Sequence, residues 1–318
     1  MIDAYCHVGM PRFGTTDEAL DLADVYGIER SVFVLGPRVP DFATLFDAMA
    51  RFGDRVRGVG IPLGDTAGRR REMVECQIRA GVKGIRMQAN DLAPDLLSML
   101  GESKRWIYSV FIIGQDEAIG KLIGWLEKYP DGRVVAPHFL RMTPRKIEGA
   151  LKALVEHPRF FPILSRHGND GAADPYPHEG LRPWVEQVIE LASWDRVMWG
   201  SEYPIIHWRN ELLSGCGEWL GALLGDVSED QLARFGTLNA QRELFDIAPP
   251  SREDVVIPSW VDELWDRSFA VPLFERGDLE LPMDVYAKLH HKYIEKLKDD
   301  PELIFGHFIS GLLSEMLD

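Results

Sequence analysis

Apolar positions along this chain fall into short unbroken runs, separated by stretches in which they recur every three or four residues. The runs are Ile2–Val8, Ser31–Leu35, Val56–Pro62, Gly84–Gln88, Tyr108–Ile113, Val134–Phe139, Phe160–Ser165 and Arg196–Gly200. Runs of this kind read as buried strands, because a strand covered on both faces has no polar face to alternate with. Between them, Glu18–Tyr26, Phe42–Phe52, Arg70–Ala80, Glu117–Tyr129, Pro144–Glu156 and Arg182–Ala192 carry the period of amphipathic helices. Thr15-Thr16-Asp17-Glu18 can cap the first helix, and Gly53, Gly81 and Gly132 sit where helices should stop. Strands alternating with helices predict a parallel sheet, and eight strands are the number that closes a (β/α)8 TIM barrel. An open doubly wound sheet would carry a glycine-rich first turn, whereas this one reads Val8-Gly9-Met10-Pro11.

After the eighth run, helical patterns over Arg209–Leu224 and Glu229–Phe245 complete a barrel spanning residues 1–247. Ala248-Pro249-Pro250 then breaks the pattern. Residues 248–318 read as a C-terminal helical extension, with segments at Trp260–Arg267, Met283–Lys298 and Ile304–Leu317. Its Trp260, Trp265, Phe269 and Phe274 predict that it packs on the barrel or forms a homo-oligomer contact.

Composition narrows the class. At 318 residues, with 46% hydrophobic and 27% charged, the chain can bury a large core and is not disordered. A formal net charge of −15 argues against a nucleic-acid partner, which needs clustered Lys and Arg. No apolar run is long enough to span a bilayer, so no membrane partner is expected. Cys6, Cys76 and Cys216 are odd in number and irregularly spaced, which predicts reduced thiols. With no signal-like N-terminus, the expected location is cytoplasmic.

Strand ends hold the candidate chemistry, since the C-terminal ends of barrel strands meet around one pocket. Alternation along the first strand places Asp3, Tyr5 and His7 on one face and Ile2, Ala4 and Cys6 on the other. Taken alone, His7 also suits a hydrogen-bonded core histidine. His138 ends the run Val134–Phe139, and Glu202 follows the eighth strand just before Pro204. A carboxylate there is costly unless paired or used. His178 and His207 fall in loops on the same side, whereas His290 and His291, among Lys288, Lys292 and Glu295, read as a solvated helix face.

Three segments, Asp3-Ala4-Tyr5-Cys6-His7, Pro137-His138-Phe139 and Gly200-Ser201-Glu202-Tyr203-Pro204, together resemble the amidohydrolase-related family of TIM-barrel hydrolases. That family shows Asp-x-His-x-His on its first strand, a His on a middle strand and Gly-Ser-Asp-x-Pro on its last. Asn239–Phe245 is similar to the helix that closes these barrels, so the resemblance covers roughly residues 1–247. Within the family, Gly81–Arg86 and Leu164-Ser165-Arg166 are similar to segments of the lactone-hydrolase branch. The resemblance implies a hydrolase opening an ester-like C–O bond, a lactone of an organic or sugar acid. Glu202 would be the general base, and His138 and His7 would position water or polarise the carbonyl. Arg86 and Arg166 would bind a small anionic substrate, with Tyr5 and His167 at the rim. The two arginines also suit partnership with acids elsewhere in the chain.

Two departures from the family pattern bear on a metal. Tyr5 stands where the family has its first ligand His, and Glu202 stands for Asp. His7, His138 and Glu202 remain as a three-ligand set for a single divalent metal such as zinc. A phenol is a poor zinc ligand, and the longer Glu arm shifts the carboxylate by roughly 1.5 Å. The expectation is therefore that no metal is tightly held. A metal-dependent decarboxylase of the same superfamily, and a catalytically silent barrel acting as a binding protein, are the alternatives.

Overall fold

The computed structural model describes residues 1–10, 12–36, 39–110, 115–138, 146–165, 176–208, 211–266, 271–273 and 279–317. Eight strands lie in one sheet in the order of the chain: β1 (Ile2–His7), β2 (Arg30–Val34), β3 (Val56–Gly60), β4 (Gly84–Met87), β5 (Trp106–Ser109), β6 (Val134–Ala136), β7 (Phe160–Leu164) and β8 (Met198–Trp199). Every neighbouring pair from β1 to β8 is parallel. Between them run α1 (Thr16–Val25), α2 (Phe42–Arg51), α3 (Ala67–Arg79), α4 (Pro94–Glu102), α5 (Asp116–Lys128), α6 (Gly149–Glu156) and α7 (Arg182–Ala192). The predicted barrel is present, and its helices α1, α2 and α3 begin at capping Thr15, Asp41 and Thr66. The helix α4 was not foreseen. It opens at Pro94, a residue favoured in a first helical turn.

Two apolar layers result. Ile2, Ala4, Tyr5, Val32, Val34, Val59, Trp106, Tyr108, Val135, Phe161, Ile163 and Met198 fill the barrel, and Leu244 and Phe245 join them from below. A larger layer lies between the strands and the helices and takes in Cys6, Phe33, Leu45, Val74, Leu122, Leu154 and Trp184. The face expected for β1 is corrected here. Asp3 and Cys6 pair with Ser31 and Phe33 of β2, so β1 carries one extra residue between them. This bulge breaks the two-residue period. Tyr5 therefore joins Ala4 inside the barrel, while Asp3 and Cys6 face Ala19, Leu22 and Ile28 on the helix side.

At the lower end, where the strands begin, cations precede one strand after another. Arg57, Lys83, Arg105, Arg133, Arg159 and Arg196 sit at or just before the starts of β3 to β8. Arg196 donates to the carbonyls of Val155, His157, Phe160 and Leu191 at 2.7–2.9 Å. Arg105 bonds Ser103 O at 2.7 Å and Ile78 O at 3.2 Å, and Arg57 bonds Leu244 O at 3.2 Å. These guanidiniums satisfy carbonyls left over where helices end, the favourable place for positive charge.

The chain continues through α8 (Ile205–Trp208), α9 (Leu213–Leu224) and α10 (Glu229–Ala233), the last running on in wider turns at Arg234–Leu238 and Gln241–Phe245. Beyond it, the extension is only partly helical. A short 3₁₀ segment at Ser259–Leu264 stands where a helix was expected, and β9 (Val271–Leu273) pairs antiparallel with β10 (Leu279–Leu281). Then come α11 (Met283–Asp299) and α12 (Phe305–Leu317). The extension is fastened along α1 and α3: Lys298 meets Asp21 at 2.8 Å, His291 meets Glu18 at 2.8 Å, and Trp260 donates to Glu72 at 2.9 Å. Cys6 and Cys76 are buried free thiols. Among the described residues no helix is long and apolar enough to cross a membrane.

Candidate functional site

The closing seam between β8 and β1 is built from single bonds rather than a regular ladder. Glu202 N–H donates to Tyr5 O at 2.9 Å, and His7 N–H donates to Tyr203 O at 2.7 Å. Gly200 permits the approach: a Cβ there would lie 2.9 Å from Tyr5 Cβ and 2.8 Å from Ile163 Cγ2. The backbone then turns sharply, with Glu202 at φ +56°. A non-glycine residue in this left-handed region carries strain of roughly 1–2 kcal/mol, and such strain gathers at functional sites. His138, just past β6, is held the same way at φ +63°.

These turns bring three side chains together in the barrel mouth. His138 Nδ1 lies 3.6 Å from Glu202 Oε1 and 3.2 Å from Ser165 Oγ, whose oxygen also accepts the His138 N–H at 2.8 Å. Ser, His and a carboxylate suggest a nucleophilic triad, but the geometry rejects it. In a triad the serine and the acid occupy opposite ring nitrogens, whereas Ser165 and Glu202 meet the same one. Ser165 instead steadies the imidazole.

His7 has its Nδ1 2.7 Å from Val34 O, so that nitrogen carries the proton and Nε2 keeps a lone pair. Burial pushes the His7 pKa down to about 3. The charges of Arg86 and His138 act in the same direction, while Glu202 and the Val34 carbonyl oppose them. At neutral pH His7 is therefore an uncharged acceptor. The Tyr5 ring stands edge-on between the two histidines, 5.0 Å from each. Its hydroxyl accepts from Arg86 Nε at 3.2 Å. Arg86 is buried on β4, and among the described residues no carboxylate reaches it at ion-pair distance, so its charge is not spent on an internal acid.

The structure thus places His7, Tyr5, Arg86, His138 and Glu202 at one end of the barrel. Arg166 and His167 lie outside the described residues. Sequence reading missed several neighbours. Phe13 stacks on His7 at 4.7 Å and continues to Trp208 at 6.3 Å, with the Arg12 guanidinium 5.1 Å from each of those two rings. Trp208 Nε1 donates to Tyr286 of α11 at 3.0 Å, which ties the extension to this wall. Tyr108 on β5 is fully buried close to Tyr5, and its hydroxyl has no partner among the described residues. Arg12-Phe13 lies in a loop without periodicity, so no pattern could have flagged it. Two histidine readings are corrected: His207 lies on α8 rather than in a loop, and His290 is 1% exposed because α11 turns that face onto the barrel. Only His291 of the pair is solvated.

Among the described residues no three His, Cys, Asp or Glu side chains are grouped to hold a divalent ion. Tyr5 fills the place of a further imidazole, and the Arg86 cation against its hydroxyl repels a second positive charge. The described residues as placed do not fit a metal.

The sequence profile described as amidohydrolase matches residues 4–245. No protein of curated function matches. Several solved structures share the fold. A 2,6-dihydroxybenzoate decarboxylase from Rhizobium superposes with a TM-score of 0.54 at 13% identity, covering 78% of this chain and 99% of its own. A Pseudomonas putida protein assigned as a 2-pyrone-4,6-dicarboxylic acid hydrolase gives 0.55 at 19%, covering 77% and 97%. A dihydroxybenzoic acid decarboxylase from Polaromonas, solved with manganese and 2-nitroresorcinol, gives 0.51 at 15%, covering 73% and 86%.

Proposed function

Because the chain belongs to the amidohydrolase family, we propose that it is a hydrolase of small anionic lactones. The observation that carries this reading is the Arg86–Tyr5 pair standing beside His138 and Glu202, with a buried guanidinium held against the Tyr5 hydroxyl. In the reaction, a water between Glu202 and the substrate loses its proton to the Glu202 carboxylate and attacks the lactone carbonyl. Arg86 and the Tyr5 hydroxyl stabilise the oxyanion that forms, and a carboxylate on the substrate draws the ring toward Arg86. The ring C–O bond then breaks. Its oxygen takes back the proton from Glu202, leaving an open-chain acid. His138 keeps the Glu202 carboxylate in place, and neutral His7 accepts a hydrogen bond from the water.

Decarboxylation of a hydroxylated aromatic acid is the second reading, supported by the two neighbours whose names state that reaction. One assay separates the two. Purified protein is given 2-pyrone-4,6-dicarboxylate and 2,6-dihydroxybenzoate in parallel, following loss of the pyrone absorbance and release of CO2, with elemental analysis of the same preparation. Ring opening is expected, and Glu202→Gln should slow it by about two to four orders of magnitude. CO2 release, with one equivalent of metal, would move the second reading to first place. Ligand binding with neither reaction would mark a silent barrel.

A further inference from the structure

The seam raises a question the proposed reaction does not answer: what holds Glu202 in a backbone conformation that costs energy. Its neighbours Ser201 and Tyr203 are gripped from one place. Asp3 Oδ1 accepts the N–H of Ser201 at 2.9 Å and that of Tyr5 at 3.1 Å. Asp3 Oδ2 accepts the Ser201 hydroxyl. The Ser201 oxygen in turn accepts Tyr203 N–H at 2.9 Å. Every partner of Asp3 in this set is a donor, so only an acceptor of carboxylate shape satisfies all of them. The bulge in β1 makes this possible, because it turns Asp3 away from the mouth and toward the segment after β8.

We propose that Asp3 is a positioning residue: by gripping Ser201 it fixes the left-handed turn that sets the Glu202 carboxylate beside His138. The assignment rests on the reading of Glu202 as the base. Asp3 meets the mouth only through a main-chain group, the N–H of Tyr5, and reaches Glu202 through the turn. Burial is a large cost, since it lifts the Asp3 pKa to about 6 against the pull of its hydrogen bonds. A mere filler of the helix side would be served as well by an apolar residue of that size.

The test pairs hydrogen exchange with turnover in the full chain. Asp3→Asn keeps the shape but turns an NH2 group toward donors. Exchange at the amides of Ser201, Glu202 and Tyr203 should quicken at least tenfold, while the amides of Val59 and Ile107 keep their rates. On 2-pyrone-4,6-dicarboxylate, kcat should fall by about tenfold or more with KM little changed, because the substrate-binding Arg86 is untouched. Ser201→Ala, which retains the buried carboxylate and both of its N–H bonds, serves if Asp3→Asn does not fold, and should show a smaller rise at the same three amides. Unchanged exchange there, or an equal rise throughout the barrel, would overturn the proposal. Glu202→Gln is run alongside: full turnover in that variant sinks the base assignment, while the exchange data still decide what Asp3 holds.

Discussion

The two ends of this barrel use charge in opposite ways. At the lower end the cations are spent on the fold: Arg196 alone reaches four main-chain carbonyls, and Arg105, Arg159 and Arg57 do the same work where neighbouring helices end. At the mouth, side chains face one another instead. Arg86 meets a phenol, His138 meets Glu202 and Ser165, and His7 lies neutral against Phe13. The guanidiniums of the lower end stay charged at every accessible pH, whereas at the mouth burial keeps His7 neutral. One arrangement resists unfolding. On the proposed reading the other serves proton transfer, in keeping with the division of labour between the ends of such barrels.

Exchanging losses between the ends should expose this division most sharply. Arg86→Gln removes the mouth's buried cation. Its kcat/KM on 2-pyrone-4,6-dicarboxylate should fall by about two to three orders of magnitude, the usual cost of losing one oxyanion donor. Its melting temperature should hold or rise, because a buried charge without a carboxylate partner is a poor stabiliser. Arg196→Ala should do the reverse. Stripping four carbonyls of their donor should cost about 2 kcal/mol in denaturant unfolding, with kcat and KM near normal. A stable Arg196→Ala protein, or an unfolded Arg86→Gln protein, would erase the contrast.

Much of the barrel was legible because closed parallel strands impose an unmistakable rhythm, apolar runs alternating with amphipathic helices. The candidate site was legible as three strand ends, since His7, His138 and Glu202 each lie at the end of an apolar run, while Arg86 came from the family resemblance. What escaped has a common cause. The bulge that turns Asp3 outward adds a single residue, and alternation cannot reveal where a strand breaks its own period. The wall of Phe13, Trp208 and Tyr286 joins three distant segments through ring contacts, which no local pattern encodes. His290 was misread because charged neighbours suggested a wet face, while its companions at helical spacing, Tyr286, Tyr293 and Leu297, all point inward.

The smallest expected effect concerns acid, and it separates the two ends by proton count. His290 is buried against Tyr286, its rings 5.4 Å apart, and its Nε2 has no partner among the described residues. Burial lowers its pKa to about 4. His291 pushes the same way, and Glu18 opposes. Between the unfolded value of 6.5 and about 4, the unfolded chain binds a proton that the folded chain refuses, so stability falls as the pH falls. The slope from this one group approaches about 1.4 kcal/mol per pH unit inside the window and vanishes above it. His7, with a pKa near 3, and His207, held well below its usual value, add to the slope in the same sense. Asp3, raised to about 6, opposes them from its unfolded value of 3.8 upward, because its proton is kept by the folded state. His290→Phe preserves the stacked ring and removes one titrating group. Urea unfolding at intervals from pH 7 to pH 4.5 should give a line shallower than wild type by about one proton, with no difference at pH 7 in the proton uptake that sets the slope. Arg196→Ala should lie below wild type at every pH, since the guanidinium itself exchanges no proton. A wild-type slope in His290→Phe would mean that α11 lifts away and lets water reach His290 before the barrel unfolds.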